Sequence, residues 1–265
     1  MQGIRLAAAA VFSWHCFLIL MFGSDDMAVG NTFVVEKTCP ICGETVRVVK
    51  VRSRQIVERT DEDFCAHYKD FNPYYYTIWV CEKCGYAADE KHFLAVMPER
   101  NKQKIQEFLN GRSIGFQFVE TRGLPEAVAS FKLAIFYAEL IGAPLSHRAG
   151  LYLELAWLYR DVEDQEKEEQ AMRKAIEIYD ESLMTERYPV GMLTDTTVIY
   201  LIGALYYRLG DIESATQYLS RIISDNDSVS RSASSMKRRD ASGRISVRPS
   251  RTSRISSNSS NSWRE

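Results

Sequence analysis

Cys39-Pro40-Ile41-Cys42-Gly43 and Cys81-Glu82-Lys83-Cys84-Gly85 form two CxxCG knuckles, with 38 residues between Cys42 and Cys81. Each pair sets two thiolates on one tight turn, and the following glycine lets the backbone bend so that its N–H groups face sulfur. Four soft sulfur ligands in a tetrahedral cage suit zinc. The spacing therefore predicts a Zn2+ site at Cys39, Cys42, Cys81 and Cys84, with a redox dithiol as the competing reading. A closed four-cysteine site holds a fold together and does no chemistry itself.

Outward from the knuckles the pattern is that of strands. Thr32 to Lys50 reads as an apolar strand, the first knuckle, then Val46, Val48 and Val51 alternating with charge, with one slip. Tyr74 to Val80 is aromatic and β-branched, runs into Cys81 and exits through Gly85-Tyr86-Ala87. Two knuckles, each at the end of a strand, are the plan of a zinc ribbon over residues 30–98.

Between the knuckles lies Arg59-Thr-Asp-Glu-Asp-Phe-Cys-Ala-His-Tyr-Lys-Asp-Phe-Asn-Pro73, longer than a minimal ribbon needs. Cys65 is an extra ligand, a reactive thiol with His67 as its base, or a small buried hydrophobe. Asp61, Asp63, His67 and Asp70 resemble an acid/base or hard-metal cluster, but acids beside Asn72-Pro73 are common turn and helix-start residues. His92 offers an alternative ligand or a surface imidazole.

The combination of CPICGE (39–44), the DEDFC segment with its Ala-His-Tyr continuation (61–68) and NPYYYTIWVCEKCGYA (72–87) resembles the bacterial domain-of-unknown-function family 2225. The resemblance runs from about Phe33 into the helical part and leaves out the apolar leader and the Ser/Arg tail. It implies a metal-binding protein with a helical carboxy-terminal half, Cys39, Cys42, Cys81 and Cys84 as ligands, and a characteristic motif around Asp63 and Cys65. It implies no activity.

From about Glu99 to Ser224 apolar residues recur at helical spacing, and Pro125, Pro144 and Pro189 fall at plausible starts or breaks. The run from Ile199 through Ile202, Gly203, Tyr206, Gly210, Ala215 and Leu219 to Ile222 resembles a tetratricopeptide repeat. Small Gly203 and Ala215 belong where two helices cross closely, and Gly210 makes the turn. A second copy, about 47 residues earlier, has Tyr152, Leu155, Ala156, Tyr159, Met172 and Ala175. A weaker third has Ala127, Phe131 and Ala134. Stacked helix pairs present concave surfaces that bind a protein or peptide partner. Tyr152, Tyr159, Tyr206 and Tyr207 are the candidate lining residues, with core packing as the alternative.

The fold class is α+β: a small β-rich ribbon, then an all-α repeat region over 99–224. Residues 1–26 form an apolar leader, read as a misassigned start, a signal-like segment or an anchor through residues 6–22. Ser228 to Glu265 carries nine Lys/Arg against two Asp/Glu, a local charge of about +7 that leaves about −9 on the rest. Residues 225–265 read as a disordered tail. Thiolate ligands favour the cytoplasm, with a membrane-anchored form as the alternative. The leading function is a noncatalytic zinc-binding scaffold with a protein partner. Nucleic-acid binding through ribbon and basic tail, and a thiol sensor or enzyme using Cys65, are the alternatives. No serine triad, phosphate loop or paired catalytic carboxylate stands out in the sequence.

Overall fold

The computed structural model describes residues 30–110 and 121–223. The leader and the Ser/Arg tail lie outside the described residues. The architecture is α+β, as the sequence predicts: short antiparallel hairpins followed by helices.

The first hairpin pairs β1 (Thr32–Thr38) with β2 (Thr45–Val51) in unbroken register. Val46, Val48 and Val49 are all buried. The slip in alternation thus marks a strand covered on both faces, and not a bulge. β3 (Val57–Thr60) pairs with β4 (Ala66–Tyr68), and β5 (Ile78–Val80) with β6 (Ala87–Asp89). The strand expected over Tyr74 to Val80 is shorter than predicted. Pro73 starts a 3-10 turn through Tyr76, and the Asn72 side chain caps it by accepting the Tyr74 N–H, so only Ile78–Val80 remains extended.

Helices follow: α1 (Glu90–Leu94), α2 (Glu99–Leu109), α3 (Leu124–Ile141), α4 (Leu145–Asp161), α5 (Gln165–Thr185) and α6 (Asp195–Arg208), with residues 212–223 forming α7. Packing divides the chain into two compact units, one up to residue 186 and one from residue 187. The ribbon and α1–α5 therefore share one unit.

Within that unit, α4 and α5 make the most extensive helix–helix contact of the described elements, and α3 packs on α4, β5 and β6. The core joins Trp79, Phe93, Tyr86 and Tyr137 in one chain of rings 5.4–5.7 Å apart. Ala127, Phe131 and Ala134 of α3 are buried, as are Leu155, Ala156 and Tyr159 of α4 and Met172 and Ala175 of α5. α4 begins at Pro144 without a side-chain cap of its own. The carboxylate of Glu186, just past α5, accepts the N–H groups of Leu145 and Ser146 instead. Glu186→Ala should cost about 1 kcal/mol, measured by urea unfolding, because two helix-terminal donors lose an anionic partner.

In the second unit, a Cβ built at Gly203 would lie 2.7 Å from Leu219 Cγ and 3.5 Å from the Ala215 carbonyl. α6 and α7 cross closely at the small residues, as the repeat pattern predicts, and Gly210 turns between them at φ +80°.

Candidate metal centre and the DEDFC latch

Both knuckles sit at hairpin tips and share one hydrogen-bond plan. In the first, the Cys39 N–H donates to the Glu44 carbonyl at 2.9 Å and the Gly43 N–H to the Cys39 carbonyl at 3.0 Å. In the second, the Cys81 N–H donates to Tyr86 and the Gly85 N–H to Cys81, both at 2.8 Å. Gly43 and Gly85 have φ of +78° and +87°. A Cβ at Gly43 would meet nothing within 4 Å, so the left-handed backbone, and not crowding, is what requires glycine there.

The tips face each other and bring the four sulfurs within 4.8 Å of one another. Cys39 Sγ lies 3.7 Å from Cys84 Sγ, and Cys42 Sγ lies 3.7 Å from Cys81 Sγ. Tetrahedral zinc with Zn–S bonds of about 2.3 Å requires sulfurs about 3.8 Å apart, so these residues fit a four-thiolate zinc site. The Cys84 N–H also points at Cys81 Sγ at 3.4 Å. Cys39 and Cys81 are buried, whereas Cys42 is exposed. Sulfurs this close compete for protons. The contact with Cys81 is the largest influence pushing the Cys39 thiol up to about 12, and the same contact lowers Cys81. A dication among them would hold all four as thiolates. From the side, Gln106 of α2 donates to the Ile41 carbonyl at 2.9 Å and pins the first knuckle.

Cys65 and His67 are not part of this cluster. They group with Asp61 at the mouth of the β3–β4 hairpin, beside a cleft of ≈240 Å³ that Tyr74 and Trp157 also line. His67 Nε2 meets Asp61 Oδ2 at 2.8 Å, and its Nδ1 faces the Arg59 guanidinium at 3.3 Å. With both ring nitrogens engaged, His67 is poorly placed to take a proton from sulfur. Cys65 is 3% exposed. Its alkylation in the folded protein should be at least on the order of 100-fold slower than that of a free cysteine, and should reach the free rate in denaturant. Equal rates in the two states would restore the reactive-thiol reading.

Asp63 has a structural task that its position beside Cys65 does not announce. It is 2% exposed and meets Arg160 of α4 through both oxygens, with Arg160 Nη1 on Oδ1 at 2.9 Å and Nη2 on Oδ2 at 2.7 Å. Trp157 Nε1 donates to Asp63 Oδ2 at 3.0 Å. Arg160 also donates to Asp61 Oδ2 at 2.9 Å and, through Nε, to Glu168 of α5 at 2.7 Å. Burial works to raise Asp63, but the hydrogen bonds and charge of Arg160, with Trp157, outweigh it and hold the carboxyl below its ordinary value. For Asp61 burial is again outweighed, here by His67 and then by the charges of Arg160 and Arg59. The segment is thus a latch that ties the β3–β4 hairpin to α4 and α5. Nothing local in the sequence marks Arg160 and Trp157 for this role, because their partners Asp61 and Asp63 lie about a hundred residues upstream; Glu168 joins through Arg160, eight residues before it.

His92 groups with Asp89 and His147, apart from the four cysteines. Of the four tyrosines singled out from the repeats, Tyr159 is buried and Tyr152 is partly buried, its hydroxyl donating to Glu139 at 3.2 Å. In the second unit Tyr206 packs on Tyr218, with ring centroids 5.6 Å apart, and Tyr207 is 58% exposed.

A family model described as "Uncharacterized protein conserved in bacteria (DUF2225)" matches residues 34–242. The chain belongs to the DUF2225 family. The match begins after the leader, but it continues to residue 242 and so takes in the first part of the Ser/Arg-rich segment that the resemblance was expected to leave out. Searches of curated proteins and of solved structures found no match to this DUF2225 chain. No helix among the described residues is long and apolar enough to cross a membrane.

Proposed function

We propose that this DUF2225 protein is a noncatalytic interaction module in which a four-cysteine zinc site fixes a ribbon on a tetratricopeptide-like helical array. The zinc, when bound, supplies cross-linking of the two hairpin tips and no reaction chemistry. Cys39, Cys42, Cys81 and Cys84 would hold it.

The observation that carries this reading is the fate of the side chains that look reactive. Asp61 and Asp63 are spent on Arg160, both His67 nitrogens are engaged, and Cys65 is buried. The helical part keeps its small residues at a close crossing and its repeat positions in the core, which is how such arrays stack. The partner is proposed to be a protein or peptide, and Tyr207 is the exposed aromatic proposed to touch it.

The test is affinity capture on the full chain with and without nuclease, compared with Tyr207→Ala. A discrete protein recovered by the wild type and reduced at least about tenfold by the substitution supports the assignment. Recovery of nucleic acid alone, lost when nuclease is added, would favour the ribbon-and-tail alternative instead.

A further inference from the structure

We propose that Asp89, His92 and His147 form a second metal site, taking a divalent first-row transition cation through nitrogen and oxygen, separate from the four-cysteine centre. Three elements converge there. Asp89 ends β6 and caps α1: its Oδ1 accepts the His92 N–H at 3.2 Å, which fixes the carboxylate and leaves Oδ2 facing the imidazoles. His92 Nδ1 lies 2.7 Å from that Oδ2, and His147 Nε2, from the first turn of α4, lies 3.6 Å from it.

The longer distance exceeds a hydrogen bond, yet it is close to the edge of a coordination tetrahedron with metal–ligand bonds of about 2.0–2.2 Å. The shorter one is a hydrogen bond that would open by roughly 0.6 Å to admit a cation. The two rings lie nearly parallel, centroids 3.7 Å apart and planes 27° apart, which brings one nitrogen of each to the same carboxylate oxygen. All three ligand atoms fall within 4.8 Å of one another.

A second observation points the same way. Glu154 lies two helical turns, about 10 Å, beyond His147 on the same face of α4. Its Oε2 is sealed from solvent and has no hydrogen-bond partner among the described residues. A buried carboxylate oxygen in that condition is costly, and a cation bound on the same face of α4 would lower the cost. The side chains of His92 and Asp89 are 35% and 21% exposed, so one side of the site stays open to water. Two imidazoles and one carboxylate with open positions suit Zn2+, Co2+ or Fe2+ and a labile, exchangeable ion, unlike the closed thiolate cage.

The experiment uses the full chain, stripped of metal and equilibrated with Co2+, with bound metal counted by elemental analysis. The His92→Ala/His147→Ala variant should bind one equivalent fewer than wild type while keeping the full thiolate-to-cobalt charge-transfer absorption. Equal uptake by the two proteins overturns the site. If circular dichroism shows that the double variant has lost its helices, Asp89→Asn, which keeps an oxygen for the cap, decides by the same count. In the wild type, paramagnetic shifts of the His92 and His147 ring protons on adding Co2+ are also expected, and unshifted signals at saturation would contradict the proposal.

Discussion

Replacing Asp63 by alanine should destabilise the first unit by about 3–5 kcal/mol, a fall in Tm of roughly 6–20 °C. Asp63 takes two of the hydrogen bonds of Arg160 and one from the half-buried Trp157, and Asp63 and Arg160 are themselves buried. Without it, Arg160, whose side chain is 5% exposed, keeps the carboxylates of Asp61 and Glu168 and a weak contact to Met172 Sδ. Truncating one partner of a buried pair costs more than the pair is worth, because the remaining charge stays desolvated. Arg160→Met combined with Asp63→Ala should therefore lose less than the sum of the two single changes, a positive coupling that a double-mutant cycle measures. Urea unfolding of Asp63→Ala within about 1 kcal/mol of wild type would show that the latch contributes little.

The latch also sets a pH dependence. The Asp63 carboxyl is held low in the folded state although its burial opposes this, so the unfolded chain binds the proton more readily. Its contribution is fully present above the unfolded value near 4 and declines as pH falls from there through the lowered folded value. Wild type should accordingly lose more stability between about pH 5 and pH 2 than Asp63→Asn does.

Replacing Cys81 by serine should abolish tight metal binding, with an affinity loss on the order of 100-fold or more, and melt the ribbon. Cys81 is fully buried and lies on the second knuckle, between β5 and β6. Those strands carry Trp79, packed on Phe93, and their turn carries Tyr86, packed on Tyr137 of α3. Loss of the metal should thus spread into the helices, and near-ultraviolet circular dichroism should weaken together with the thermal transition. A strong chelator applied to wild type should produce the same change. A Cys81→Ser protein that melts within about 2 °C of wild type would place the stability of this unit elsewhere.

The two knuckles, the hairpins that bear them and the helical half were legible in the sequence because their signals are local: CxxCG spacing, alternation of valines, and small residues at helical intervals. Gly43, Gly85 and Gly210 were legible for the same reason, since each has the positive φ that a turn at that point demands. Tyr74 to Tyr76 reads as strand from its aromatic content, whereas the Asn72-Pro73 start signal prevails and these residues complete a 3-10 turn. The task of Asp63 was not legible. An acid in a charged segment looks like a turn residue or a catalytic group until Arg160 is placed beside it. The same limit hid the convergence of Asp89, His92 and His147, which needs the first turn of α4 brought onto the end of β6.

The most direct test of the metal centre is the thiolate-to-cobalt charge-transfer absorption of the Co2+-loaded full chain, compared among wild type, Cys65→Ser and Cys81→Ser. The band reports sulfur ligation alone, so an ion bound by histidines does not contribute. Four-cysteine ligation predicts equal intensity in wild type and Cys65→Ser and a clear loss in Cys81→Ser. An absent band in wild type, or a loss in Cys65→Ser as large as that in Cys81→Ser, would contradict the assignment of Cys39, Cys42, Cys81 and Cys84 as the ligand set.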